Sequence, residues 1–441
     1  LAGALTESFR CVFCDSHYLA TGGPKLYALF RFWILHFHFA RTTADAALDV
    51  EAVIHQFEEE VLRAEDLAPL RCGFQRLPLV PESQPGLHLS RRASGGGDDA
   101  LRMLGDHLGM VGAARIGERE TLRLAALFRI SGHVFENCDV IVATLSDGMH
   151  EGRGEGGGVY YLGDDADHML AEIEAARGVI EAGIDREALL EAMPAGGGRN
   201  AIDCALWELE ARRKAVPTWQ LAGLTQALPI VTTFTLGADT PEAMAAGAVR
   251  YCDAKAIKIK LTGDLDLDIE RVRAIREARG DVWLMVDANQ GFAVGELDPL
   301  VSALVDCRVS LLEQPLARGR EGDLEGFESP IPLAADESAL TSADVEALAG
   351  RFSVFNIKLD KCGGLTEALR IAHLCREHGL QVMVGNMVGS SLAMAPAYIL
   401  AQLCDYVDLD GPTFLAKDRE PSLRYEDGMV SCGQDVWGYV A

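Results

Sequence analysis

Basic residues are scarce in this 441-residue chain: 40 lysines and arginines stand against 66 aspartates and glutamates, a formal charge of −26. Nucleic-acid binding needs a basic footprint, so that partner is excluded. The same deficit argues against docking on an anionic membrane. Long apolar runs are missing too. The aromatic and apolar stretch Leu26–Ala40 is interrupted by Arg31, His36 and His38. It is too short for a bilayer, which takes ~20 apolar residues, and lies too far in for a signal peptide. A disulfide framework is absent as well: the eleven cysteines are an odd count, and Cys204, Cys307 and Cys404 sit in apolar segments. They read as reduced thiols of a cytoplasmic protein. Cys11 and Cys14 make a lone CxxC near His17, without the second ligand pair a zinc site requires.

What is present is an ordinary globular composition, 49% apolar and 24% charged, long enough for two or three folding units. Residues 1–117 differ in texture from the rest. They begin with Leu rather than Met, and Pro81–Asp99 is Ser-, Gly- and Arg-rich like a linker. We read them as an extension foreign to the fold; a chain starting at Met110 is expected to fold and turn over. An α+β unit follows. Ile141–Leu145 reads as a strand, and Ala201, Ala205, Leu206 and Leu209 recur at helical spacing behind Gly196–Gly198.

After Pro229 the pattern changes to short apolar strands alternating with amphipathic helices. The strands read VTTFT, AIKIK, VWLMVD, VSLLEQ, PLAADE, VFNIK, QVMVG and YVDLD. Between them, Ile269, Val272 and Ile275 mark one face of a helix. Eight such strands predict an α/β fold with a closed parallel barrel. The rival, a doubly wound open sheet, is disfavoured because no GxGxxG turn follows the first strand.

Strand ends carry charges of matching parity. Lys258 and Lys260 share one face of the second strand, opposite Ile257, Ile259 and Leu261. The third ends in Asp287 and Asn289, the fourth in Glu313, the fifth in Asp336 and Glu337. Asn356, Lys358 and Asp360 share a face of the sixth, and Asp408 and Asp410 flank Leu409 in the eighth. Buried charges are costly unless paired or bound to metal. Asp287, Glu313 and Asp336 on three neighbouring strands offer the oxygen ligands a hard cation such as Mg2+ takes. No His or Cys stands there, which disfavours zinc. Lys260 and Lys358 flank this set from opposite sides. Two amines facing across a metal-bound carboxylate suit proton removal from one face of an α-carbon and return on the other.

KIK at 258–260, VDANQG, LLEQP, ADES, NIKLDKCGG and VDLDGP, with ISGHVFENCDVIVATL and NAIDCALWELEARRK before them, resemble the enolase superfamily, muconate-lactonising subgroup, and in particular its dipeptide epimerases. The resemblance covers roughly residues 119–441. It implies a modified (β/α)7β barrel at 229–412 under an α+β capping domain at 118–228, completed by 413–441. Carried over by position, it makes Lys260 and Lys358 the acid/base pair and Asp287, Glu313 and Asp336 the ligands of one Mg2+. Lys258 becomes a helper at the substrate carboxylate, Asp408 and Asp410 the holders of a substrate ammonium, and Thr235 a substrate contact or a core strand residue. Lys361 is read as a rim residue.

The implied activity is epimerisation of a dipeptide at the α-carbon of its C-terminal residue through a metal-stabilised enediolate. Cycloisomerisation, o-succinylbenzoate synthesis and a non-catalytic binding barrel are the alternatives. The partner is a small dipeptide, with no nucleic acid or membrane and with homo-oligomerisation left open. Glutamate-selecting members carry an arginine in the loop after the first cap strand. Here Gly132–Glu136 has none, so apolar or uncharged side chains are expected; an Ala-Glu preference would point to Arg129.

Overall fold

In the computed structural model, residues 112–130 and 133–439 are described. Cys11, Cys14 and Leu26–Ala40 lie outside the described residues, as do the side chains of Arg129 and His133. Strands β1 (Gly112–Ile130), β2 (His133–Ser146) and β3 (Glu151–Gly157) form an antiparallel sheet in that order. Helices α1 (Ala166–Glu181), α2 (Arg186–Ala192) and α3 (Gly197–Lys214) pack against it. Asp165 and Asp185 cap α1 and α2 by accepting from the backbone N–H groups of His168 and Ala188. Ile141, Leu145, Met169, Ile173, Ile202 and Leu209 fill the core between the layers.

The glycines of β3 have a specific cause. A Cβ at Gly152, Gly154 or Gly156 would come within 2.1, 2.0 or 2.0 Å of the carbonyl oxygens of Ala205, Ala201 and Gly197. Helix α3 thus lies with its backbone directly on every second residue of β3, an approach only glycine permits.

The eight strands read from the sequence form one parallel sheet in chain order. They are β5 (Thr233–Leu236), β6 (Ala256–Lys260), β7 (Trp283–Asp287), β8 (Leu311–Glu313), β9 (Leu333–Ala335), β10 (Val354–Ile357), β11 (Gln381–Val384) and β12 (Tyr406–Val407). Helices α4 (Pro241–Arg250), α5 (Leu265–Ala278), α6 (Leu297–Asp306), α7 (Leu365–Glu377) and α8 (Ser391–Ala401) lie among them. Ahead of the barrel, β4 (Ile230–Val231) pairs with a hairpin of β13 (Arg424–Glu426) and β14 (Met429–Ser431).

Among the described residues no backbone ladder joins β12 to β5. Side chains stitch that seam instead. Thr232 Oγ1 accepts from the Leu409 N–H (2.9 Å), Thr233 Oγ1 donates to Asp408 (2.5 Å), and the Thr235 N–H donates to Asp410 (2.6 Å).

Strand parity divides the side chains as expected. Ile257, Ile259, Val286, Leu312, Phe355, Ile357 and Val382 join the large cluster between sheet and helices. Met285, Leu311, Ala334, Val354 and Met383 point inward and form a separate plug, with Trp283 stacked on Tyr406 at 5.7 Å. The next inward positions are Asp287, Glu313 and Asp336, then Asn356 and, after β11, Gly385. No helix among the described residues is long and apolar enough to cross a membrane.

Candidate active site

Above the apolar plug, at and just past the C-terminal ends of the strands, lie the polar side chains, where barrel enzymes keep their chemistry. Lys258, Lys260, Asp287, Glu313, Asp336, Asn356, Lys358, Asp408 and Asp410 are all buried there. Asp287, Glu313 and Asp336 each bring one carboxylate oxygen within 4.8 Å of the others. Lys258 Nζ sits among them, 3.0 Å from Asp287, 2.7 Å from Glu313 and 2.9 Å from Asp408. Lys260 Nζ donates to Asp287 Oδ2 at 2.6 Å, and Lys358 Nζ to Asp336 Oδ2 at 2.7 Å. Their strands, β6 and β10, are separated by the three carboxylate-bearing strands, so the two amines approach the cluster from opposite sides.

The electrostatics follow from packing so much charge in a dry space. Burial pushes the Glu313 carboxyl up to about 8, with the Asp287 charge adding to it. Asp287 experiences the same burial, yet Lys260 and Lys258 outweigh it and hold the carboxyl well below the usual range. Burial pulls the Lys358 ammonium down, but Asp336, Glu313 and Asp287 more than offset this and hold it above an ordinary lysine. The Asp410 carboxyl is raised to about 7 by burial and by Asp408 beside it.

Two readings of the sequence need correction. Lys361 is not a rim residue: it is 2% exposed, and its Nζ donates to Asp336 Oδ1 (2.6 Å) and to the carbonyl of Asn356 (3.0 Å). Asp360 does not share the inward face of Lys358. It accepts from the Gly157 N–H (2.8 Å) and from Asn200 Nδ2 (2.9 Å), outside the barrel interior. The cause is the same for both. Strand β10 ends at Ile357 and Leu359–Cys362 is a helical turn, so alternation stops and Lys361 swings back one turn after Lys358.

Sequence reasoning marked the cap loop that holds Phe135 but missed the two tyrosines that pack beside it. Phe135, Tyr160 and Tyr161 form an edge-to-face aromatic series, with ring centroids 5.8 and 5.2 Å apart. Asp336 and Glu337 act electrostatically on both tyrosine hydroxyls. The short Tyr160–Leu162 turn gives no periodic signal that would mark it.

Residues 242–435 match the family described as Enolase C-terminal domain-like. The N-acetyl-D-glutamate racemase of Pseudoalteromonas sp. is 43% identical over 57% of this chain and 79% of its own length. The L-Ala-D/L-Glu epimerase of Escherichia coli K12 is 40% identical over 66% of this chain and 90% of its own. The chain belongs to the enolase superfamily. Within it the chain stands with the dipeptide epimerases and is an isomerase. The solved dipeptide epimerase from Methylococcus capsulatus, complexed with Mg and L-Arg-D-Lys, has the same fold. It gives a TM-score of 0.68 at 30% identity over 73% of this chain and 96% of that one.

The residues of this superfamily member fit Mg2+. Its donor set is three carboxylates with no sulfur or imidazole. Glu313 Oε2 forms the ion pair with Lys258 but is buried without a hydrogen bond of proper direction. Cations and ammonium groups answer the same need here, to neutralise carboxylates that water cannot reach.

Proposed function

We propose that this protein is a Mg2+-dependent epimerase acting at the α-carbon of the C-terminal residue of a dipeptide, with Lys260 and Lys358 as its two acid/base groups. The observation that carries the reading is the placement of these amines on β6 and β10, on either side of the carboxylate cluster. Asp287, Glu313 and Asp336 hold the metal. When bound, Mg2+ supplies Lewis-acid stabilisation of negative charge on the substrate carboxylate. Lys258 adds a fixed ammonium on the same side. Lys260 removes the α-proton of one stereoisomer, and Lys358 delivers a proton to the opposite face; in the reverse direction the roles exchange.

Asp408 and Asp410 take the substrate's ammonium group. Asp408 is already engaged by Lys258 and Thr233, so the strongest contact falls to Asp410, whose charge an ammonium would restore. Thr235 contributes its backbone N–H to Asp410 and thereby orients that carboxylate. Eight described cysteines are free thiols, which supports a reducing, cytoplasmic setting.

The test is NMR in D2O with Mg2+ and a panel of L,L-dipeptides. Deuterium should enter the α-position of the C-terminal residue as the second diastereomer appears. With Lys260→Ala or Lys358→Ala, epimerisation should stop while each variant still exchanges one diastereomer, a different one in each. If one variant exchanges both, a single base or a water relay operates. The racemase relative motivates including N-acetylglutamate; exchange there and in no dipeptide would move the substrate class to N-acyl amino acids.

A further inference from the structure

Two ammonium groups share one carboxylate at the end of β9. Lys358 Nζ donates to Asp336 Oδ2 at 2.7 Å, its only hydrogen bond among the described residues. Lys361 Nζ donates to Asp336 Oδ1 at 2.6 Å, and also to the backbone carbonyls of Asp336 (2.5 Å) and Asn356 (3.0 Å). A lysine ammonium has three protons, and Lys361 has an acceptor for each. Its side chain is wholly buried, so water offers no alternative partner. The two lysines therefore differ in kind. One is moored to the backbone; the other is held by the carboxylate alone.

The mooring lies where the sheet gives out. The ladder between β9 and β10 ends with the pair Phe355 and Ala335. One residue further on, Lys361 bridges the carbonyls of Asp336 and Asn356, a side-chain tie in place of the next rung. Asn356 in turn donates from Nδ2 to Glu313 Oε1 at 2.7 Å. Lys361 thus touches one carboxylate of the cluster directly and steadies the residue that holds a second. The turn that bears it is fixed from the cap: Arg199 Nε donates to the Gly363 carbonyl (3.1 Å) and Asn200 Nδ2 to Asp360 (2.9 Å). A carboxylate with one oxygen so held is not free to rotate. Any exchange of partners falls to its other oxygen, Oδ2.

Resting on the Mg2+ site of the proposed function, we propose that Lys361 is a positioning residue that fixes Asp336 and the ends of β9 and β10, leaving Oδ2 of Asp336 for the metal. Lys358 parts from Oδ2 when the cation arrives, whereas Lys361 stays.

The experiment is a calorimetric titration of Mg2+ alone into the parent and into Lys361→Met, a side chain of similar length without the ammonium. Kd should rise about 10–100-fold in the variant, the usual effect of removing a group that orients a metal ligand. Raising Mg2+ should restore part of the variant's epimerisation, as it should not for Lys358→Ala. An unchanged or tighter Kd would overturn the proposal and leave Lys361 as a counter-charge to the carboxylates. A variant that binds Mg2+ normally but stays inactive would place Lys361 in the chemistry itself, also against it. A second measurement needs no variant. In the parent, with isotope-labelled lysine, the NMR signal of the Lys361 ammonium should persist with and without Mg2+, because its protons stay bonded. That of Lys358 should be lost to solvent exchange once Mg2+ is added. Loss of both would show that Lys361 lets go as well, and the proposal would fall. A parent that binds no Mg2+ would instead remove the metal site on which this one rests.

Discussion

The two halves of the barrel interior are built from the same strands in the same alternation, yet they are chemical opposites. Below lie Met285, Leu311, Ala334, Val354 and Met383, with the Trp283–Tyr406 stack. Two residues further along come Asp287, Glu313, Asp336 and Asn356, with Gly385 after β11, and Lys358 follows two residues after Asn356. The lower layer gains from dispersion and apolar burial. The upper layer bears the desolvation of many charges and recovers it through Lys258, Lys260, Lys358 and Lys361. The comparison teaches that stability and reactivity here are separated along the barrel axis and not between domains.

The sharpest way to break that separation is at the upper layer. Lys358→Ala should stop detectable epimerisation, a loss of about 10³-fold or more for a positioned acid/base group. Chelation followed by dialysis should likewise abolish turnover until Mg2+ is restored, as steady-state assays would reveal. Substantial residual activity after chelation would contradict the metal assignment of Asp287, Glu313 and Asp336.

The lower layer should respond in the opposite sense. Met383→Ala, which opens a cavity among fully buried neighbours, should cost about 2–5 kcal/mol in denaturant unfolding. The folded fraction should keep its kcat. If kcat collapses while the protein remains folded, the two layers are coupled and the comparison fails.

At the side of the upper layer, Asp410→Asn should weaken dipeptide turnover by about tenfold or more through loss of a charge-assisted hydrogen bond. N-acetylated substrates, which lack the ammonium, should be spared. Equal loss on both would make Asp410 a seam residue only.

The smallest effect belongs to the joint between α3 and the barrel. Asp203 accepts from the N–H (3.0 Å) and hydroxyl (2.6 Å) of Thr366, and burial raises its carboxyl to about 6. The folded state therefore holds this proton more tightly than the unfolded chain, where an aspartate titrates near ~4. Its contribution is fully present below that lower value and is lost as pH rises through about 6. Between pH ~5 and ~7 the Tm of the parent should fall by a few degrees more than that of Asp203→Asn. Parallel Tm curves would show that Asp203 has no such role.

The eight strands were legible because short apolar runs with charged ends leave little choice of inward face. The carboxylate cluster and the three lysines Lys258, Lys260 and Lys358 followed from that parity. Lys361 and Asp360 were misread where a helical turn replaces the strand, a change of period that two residues cannot announce. The tie between Thr233 and Asp408 spans 175 residues, and nothing local in either segment foretells it. Likewise the alternating glycines of β3 make sense only once the backbone of α3 is seen lying on them.

The seam between β5 and β12 makes the barrel a hoop fastened by a clasp. Seven junctions are held by backbone ladders, whose strength no ligand can alter much; the eighth is held by side-chain bonds, two of them to the carboxylates proposed to receive the substrate. A cation arriving at Asp410 competes for the oxygen that retains the Thr235 amide. Binding and the tension of the hoop are thereby linked, and the amide protons of Thr235 and Leu409 become its natural gauges. Their hydrogen-exchange rates should shift on saturation with substrate while those of Ile257 and Val286, deep in the laddered wall, stay still.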